Sequence, residues 1–311
     1  MSMLDSFFKE LDRLYDEGDA AAVERYILDT IDIMRDGGDR TAEFVAIINE
    51  LAGFYRGTSR FDESELIFKT AVELMDTIGG AGTLAGATVI INYAGLMRLQ
   101  RKNDDAIRLF LDAKRLLEEL DAREDYAYAS VLNNIALVYQ DMGDSKTAIE
   151  YCNAAMEVIK SGAGEERDIA TAQNNLAAMY YRMGDYESAG AAVDEALEIY
   201  KRLDDNDLHV AAAFSTRAAL DFSMKNYRQA RESYKSSANV TKSFFGENAD
   251  YAATIRNLSM VEAQLENTDA ALNLARRAFN IMKNILGEND PRTTDCGAWV
   301  LALEEKNSAG A

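Results

Sequence analysis

The sequence predicts an all-α protein built as a row of stacked helical hairpins, and three observations predict it. A single proline, Pro291, stands among 311 residues, so almost nothing interrupts a helix. Ala, Leu, Glu and Arg are abundant, while the apolar-polar alternation of a half-buried strand is scarce. Above all, small residues recur at a period of 41 to 42 residues through most of the chain, which marks a repeat architecture.

Taken in order, residues 1–40 are expected to form a degenerate N-terminal hairpin, a cap that bends at Gly18-Asp19 inside "MLDSFFKELDRLYDEGDAAAVERYILDTIDIMRD". Residues 41–288 hold six repeats. One rung of small residues runs Ser64, Ala106, Ala148, Ala189, Ala230 and Ala271; a second runs Ala71, Ala113, Ala155, Ala196, Ser237 and Ala278. A third, one turn before each hairpin bend, runs Ala52, Ala94, Ala136, Ala177, Ala218 and Ser259. Small residues recur where helices must approach closely. Residues 289–306 are expected to form a closing helix, with Asp290 as N-cap, Pro291 at the first position and Trp299 covering the last repeat. Residues 307–311, small and polar, are expected to be a disordered tail on one continuous solenoid.

Composition narrows the function classes. With 48% hydrophobic residues the chain can bury a sizeable core despite 28% charge. Its 53 acidic and 33 basic residues give −20, which repels a polyanion, so no nucleic-acid partner is expected. No run approaches the roughly 20 apolar residues that cross a bilayer. "MSMLDSFFKELDRL" has acids where a signal peptide has a basic start and an apolar middle. A cytoplasmic protein without membrane association is expected, and Cys152 and Cys296, far apart and without metal-ligand spacing, fit a reducing compartment.

The small-residue rungs resemble the tetratricopeptide repeat, whose pattern has small residues at repeat positions 8, 20 and 27, large ones at 7, 11, 17 and 24, and Gly-Asp at the turn. The fourth copy supplies Leu176, Ala177, Tyr180, Gly184, Asp185, Tyr186, Ala189, Val193 and Ala196 at those places; the third supplies Ile135, Ala136, Tyr139, Gly143, Asp144, Ala148 and Ala155. The period, with "FFGENADYAATIRNLS" and "LGENDPRTT", is similar to the longer repeats of kinesin light chains and of bacterial peptide-sensing regulators of the Rap type. The resemblance implies a right-handed solenoid whose first helix in each hairpin lines a concave wall. Copies five and six depart from the pattern: Asp221 and Glu262 replace Tyr at position 11, and Lys225-Asn226 and Glu266-Asn267 replace Gly-Asp. They are expected to pack less tightly.

In this register, repeat position 6 reads Glu50, Asn92, Asn134, Asn175, Thr216 and Asn257. The resemblance implies that this position faces the groove and hydrogen-bonds a peptide ligand's backbone or terminal carboxylate. A side-chain amide offers a donor and an acceptor, matching what an extended peptide presents in reverse. The alternative is local contact to helix carbonyls or to the next repeat. Asn133 and Asn174 at position 5 extend the same wall. Arg56, Arg98, Arg182 and Arg256 can recognise carboxylates in a planar, bidentate way, or can form salt bridges between repeats. Tyr181 and Phe222, at position 12 of adjacent repeats, either form an apolar pocket for a ligand side chain or fill space between repeats. Repeat positions 2, 5, 6, 9, 12 and 13, which the resemblance places along the groove, amount to 36 residues in six copies and hold four arginines and two acids, so the wall is expected to be spared the acidity of the rest.

No catalytic constellation can be assembled. His209 is the only histidine, which rules out a multi-histidine metal site, and Cys152 at position 24 reads as a core thiol. "GGAGTLAGA", residues 79–87, lacks the Lys-Ser/Thr ending of a phosphate loop and reads as a flexible link. No cofactor is expected. The expected function is a non-enzymatic scaffold or adaptor that holds an extended peptide or protein tail in its groove. The alternative is a sensor of a small signalling peptide, although the roughly 40 residues before the first clear repeat leave no room for a complete Rap-type effector domain. A third reading leaves the groove empty and lets the acidic convex face dock a basic partner.

Overall fold

The structure, a computed structural model, describes residues 2–38, 41–205 and 207–309. Its described residues are almost entirely helical. Helices α1 (Met3–Asp16) and α2 (Ala20–Asp36) precede α3 (Ala42–Gly57), α4 (Phe61–Thr77), α5 (Leu84–Leu99), α6 (Asn103–Glu119), α7 (Tyr126–Asp141) and α8 (Ser145–Val158). After a π-helical turn, Ile159–Ala163, come α9 (Glu166–Met183), α10 (Tyr186–Leu203), α11 (Leu208–Ser223), α12 (Tyr227–Phe245), α13 (Ala249–Gln264), α14 (Thr268–Leu286) and α15 (Pro291–Ala309). The chain divides into two compact units, Met1–Asp185 and Tyr186–Ala311, a division that the unbroken sequence period does not announce.

Local chemistry starts five of the six first helices. Thr41, Thr83, Asp125, Asp207 and Asn248 cap α3, α5, α7, α11 and α13, each side chain accepting from a backbone N–H of the first turn. Such a cap stabilises a helix by about 1 kcal/mol. Asp19 does the same for α2, just after the bend at Gly18. The "GGAGTLAGA" link is more constrained than its composition implies: a Cβ on Gly86 would lie 2.5 Å from the carbonyl oxygen of Ala81, so backbone approaches backbone there.

The three rungs are buried in every repeat. All 18 positions are at most 1% exposed. In a close-packed interior, even modest enlargement forces strain of about 1–3 kcal/mol. Each serine that replaces an alanine has a hydrogen bond to satisfy it. Ser64 Oγ donates to the Ala52 carbonyl (2.7 Å), Ser237 and Ser215 share a bond (2.8 Å), and Ser259 Oγ accepts from Trp299 Nε1 (2.6 Å). Trp299 thus meets the sixth hairpin through a polar contact and also packs against the apolar cluster that contains Ala271, Leu272 and Ala275.

All six bends use one backbone geometry. A residue at the end of the first helix is left-handed in each, the C-cap itself at Gly184 (φ 80°) and the residue after the cap at Ser59 (64°), Arg101 (60°), Gly143 (88°), Lys225 (63°) and Glu266 (63°). The next N–H bonds back across the turn, from Arg60 to Tyr55 O, Lys102 to Met97 O, Asp144 to Tyr139 O, Asp185 to Tyr180 O, Asn226 to Asp221 O and Asn267 to Glu262 O, at 2.7–3.0 Å. This is the Schellman arrangement that satisfies carbonyls left over at a helix end.

Looser packing of repeats five and six, expected from their sequence, is not what the structure has. Asp221, 2% exposed, takes a two-pronged bond from Arg217 (3.1 and 3.0 Å), and Arg217 also reaches Asp194 (2.8 Å). Buried Glu262 accepts from Asn267 Nδ2 at 2.6 Å. Polar pairs stand where the pattern has an aromatic ring. At the C-terminal end, Asp290 Oδ1 accepts from the Arg292 N–H (2.8 Å) and starts α15. That helix continues through Ala309, into the stretch expected as a tail, because Asn307-Ser308-Ala309 contains no breaker and Lys306 suits the negative end of the macrodipole. Residues 310 and 311 lie outside the described residues.

Candidate binding surface

In the first unit, successive first helices pack on one another, α3 on α5, α5 on α7 and α7 on α9, whereas no pair of successive second helices packs comparably. A double layer pressed together on one side and splayed on the other curves toward the pressed side. The first helices, which carry the position-5 and position-6 amides, stand on the pressed side.

Their bonding differs from repeat to repeat. Asn92 Nδ2 donates to Asn49 Oδ1 of the preceding repeat (3.3 Å), while Asn134 Nδ2 donates to the Ser130 carbonyl one turn back in its own helix (2.9 Å). Asn133 Oδ1 accepts weakly from the Cys152 thiol (3.5 Å). Asn174 is 7% exposed, and its buried Oδ1 has no partner among the described residues. Half-buried Asn175 makes no hydrogen bond to a described residue. So Asn92 and Asn134 keep an unbonded oxygen, and Asn175 keeps its whole amide.

The arginines of this unit bridge repeats. Arg56 Nη1 donates to the Asn92 carbonyl (3.2 Å), Arg98 Nη1 to Asp141 Oδ2 (3.0 Å), and Arg182 Nη1 to the Gln140 carbonyl. Asn49, Gln140 and Asp141 thus belong to the wall's bonding although sequence reasoning did not single them out; their signal was their register, at positions 5, 12 and 13. Burial, reinforced by the Arg98 charge, lowers the Arg56 pKa, and burial raises that of Glu50. Beside them, Phe8, Val45, Asn49, Glu50, Met75 and Val89 help to line a pocket of about 250 Å³. Tyr181 is half-buried on α9.

In the second unit Thr216 Oγ1 donates to the Ala212 carbonyl (3.1 Å), again one turn back. Arg256 Nη1 contacts Asn257 Oδ1 (3.4 Å) and Met260 Sδ (3.3 Å) on its own helix. Phe222 meets the ring of Tyr227 edge-on at 5.5 Å, within its own hairpin. His209 is exposed, and both thiols are buried and free. Among the described residues no helix is long and apolar enough to cross a membrane.

Residues 128–202 and 209–284 match the tetratricopeptide repeat family. No curated protein matches the sequence. Solved structures do resemble it. BtubC (BKLC) from P. vanneervenii is 21% identical over 73% of this chain and 92% of its own, with a TM-score of 0.54. NprR in complex with its cognate peptide NprX is 22% identical over 99% and 84%, with a TM-score of 0.59. A Rap protein complexed with Competence and Sporulation Factor is 16% identical over 97% and 87%, with a TM-score of 0.61. At such identities the likeness is one of fold.

Proposed function

Because this chain is a tetratricopeptide-repeat protein, we propose that it is a non-catalytic scaffold or adaptor of the cytoplasm that captures an extended peptide or protein tail along the inner wall of its first helices. One observation carries the reading: Asn92, Asn134 and Asn175, at one repeat position on three successive first helices, each keep an amide oxygen unbonded. Acceptors repeated at one register suit the N–H groups of an extended chain, whose own hydrogen bonds must be replaced when it leaves water. Asn133, Asn174, Thr216 and Asn257 extend the ladder in this reading, and Arg56, Arg98, Arg182, Arg256 and Tyr181 supply side-chain selectivity. The net charge of −20 disfavours nucleic acid.

A second reading, a sensor of a small signalling peptide, is favoured by the near-complete overlap with NprR solved with its cognate peptide. The readings share the capture step and differ in whether capture changes the protein's shape. A peptide-array screen compares the intact chain with the variant carrying Asn134→Ala and Asn175→Ala, after circular dichroism shows equal helicity. Selection by the intact chain and its loss in the variant is the expected result; identical profiles would remove the ladder from the binding site. A change in radius of gyration on adding a selected peptide, read by solution scattering, separates the sensor from the adaptor.

A further inference from the structure

One carboxylate of the first unit has nothing among the described residues to bond to. Glu50, half-buried on α3, makes no hydrogen bond and no ion pair there. Burial raises its pKa; the Arg56 charge opposes that rise and the Asp12 charge adds to it. Tyr15 on α1, whose own pKa burial pushes up, is the other titratable group beside it. Glu50 borders the pocket of about 250 Å³ whose walls include the apolar side chains of Phe8, Val45, Met75 and Val89. The other two polar side chains on its lining each have a partner: Asn49 Oδ1 accepts from Asn92 Nδ2 (3.3 Å), and Thr88 Oγ1 donates to the Leu84 carbonyl (3.0 Å). The 79–87 link backs the Met75 wall, since a Cβ on Gly80 would lie 2.8 Å from Met75 Cε. The pocket thus combines apolar walls with a single unanswered negative charge. A half-buried carboxylate has lost hydration that a donor of opposite charge restores.

We propose that this pocket binds a small primary amine with an apolar body, its ammonium on Glu50 and its hydrocarbon among Phe8, Val45, Met75 and Val89. An ammonium brings three donors together with the charge that the carboxylate lacks. A cation also enters with the field of a chain whose net charge is −20, not against it. The volume lies below the roughly 300 Å³ at which pockets for larger ligands begin, which suits a free small amine better than a chain segment. This binding does not depend on peptide capture.

The test follows the Met75 methyl resonance of full-length protein carrying ¹³C-methyl methionine during titration with phenethylamine at neutral pH and constant ionic strength. A saturable shift is expected. Phenethyl alcohol, which has the same shape without the charge, should bind about tenfold more weakly. Glu50→Gln should bring the amine down to the affinity of the alcohol and leave the alcohol unchanged. Ala46→Leu, which keeps the charge and fills the space, should weaken both, once circular dichroism shows the helices intact. No saturable shift, or equal affinity for amine and alcohol in the parent, overturns the site, and so does an unaltered amine affinity in Glu50→Gln. Saturation by a peptide with a free amino-terminal phenylalanine at lower concentration than phenethylamine overturns the free-amine assignment. The variant with Asn134→Ala and Asn175→Ala should titrate like the parent; a lost response there would overturn the independence of the pocket from the peptide wall.

Discussion

Four of the six hairpin bends hold a non-glycine residue in the left-handed region, and the cost of doing so can be isolated. For an L-residue that conformation costs roughly 1–2 kcal/mol. Glycine removes the cost but has more freedom to lose on folding, which returns roughly 0.5–1 kcal/mol. Arg101→Gly and Lys225→Gly should therefore each stabilise by about 0.5–1 kcal/mol. Both side chains are exposed, so little packing is lost. The reciprocal change is Gly143→Ala. Its φ is 88° and nothing lies within 4 Å of the added Cβ, so the penalty comes from the backbone alone. It should cost about 1 kcal/mol. Urea unfolding monitored by circular dichroism reads the three variants, with an unchanged m-value required before midpoints are compared. If the glycine variants lose stability, or Gly143→Ala is neutral, the bends are not under this conformational constraint.

Three further outcomes are expected. Asp221→Ala strands the half-buried Arg217 guanidinium and should destabilise by about 2–3 kcal/mol, below the full value for a buried pair because Arg217 keeps Asp194 and some solvent; chemical denaturation measures it. Ser259→Ala leaves the Trp299 N–H unbonded and should cost about 1–2 kcal/mol, and the cycle with Trp299→Phe should be clearly non-additive. Burial pushes the Cys152 thiol up to about 12 from 9.0, so its contribution is intact below 9 and is lost as pH rises through about 12. Folded protein should leave Cys152 unalkylated by iodoacetamide at neutral pH, and denatured protein should not.

The period and the three rungs were legible because a tight helix approach admits only small residues, whatever their neighbours do. The bend was less legible, since its geometry is a property of the backbone: Lys225-Asn226 and Glu266-Asn267 make the same turn as Gly184-Asp185. Asp221 and Glu262 looked like decay because a motif written in aromatic rings says nothing of Arg217 four residues earlier or Asn267 five later. For the candidate wall, register placed the amides correctly on one set of helices. It could not say that Asn134 bonds within its own helix, Asn92 to a neighbour and Asn175 to no described residue, because that depends on side-chain torsions and the adjoining repeat.

The serines on the rungs differ in where their partners lie. Ser64 and Ser237 bond within their own hairpins, so their hydroxyls would travel with those hairpins if repeats were duplicated or deleted. Ser259 has its partner in α15, so the sixth hairpin and the closing helix must be kept together. Lengthening or shortening the array, by evolution or by design, is therefore simpler at the repeats before the sixth, with the hairpin of α13 and α14 and the tryptophan of α15 carried along as one piece.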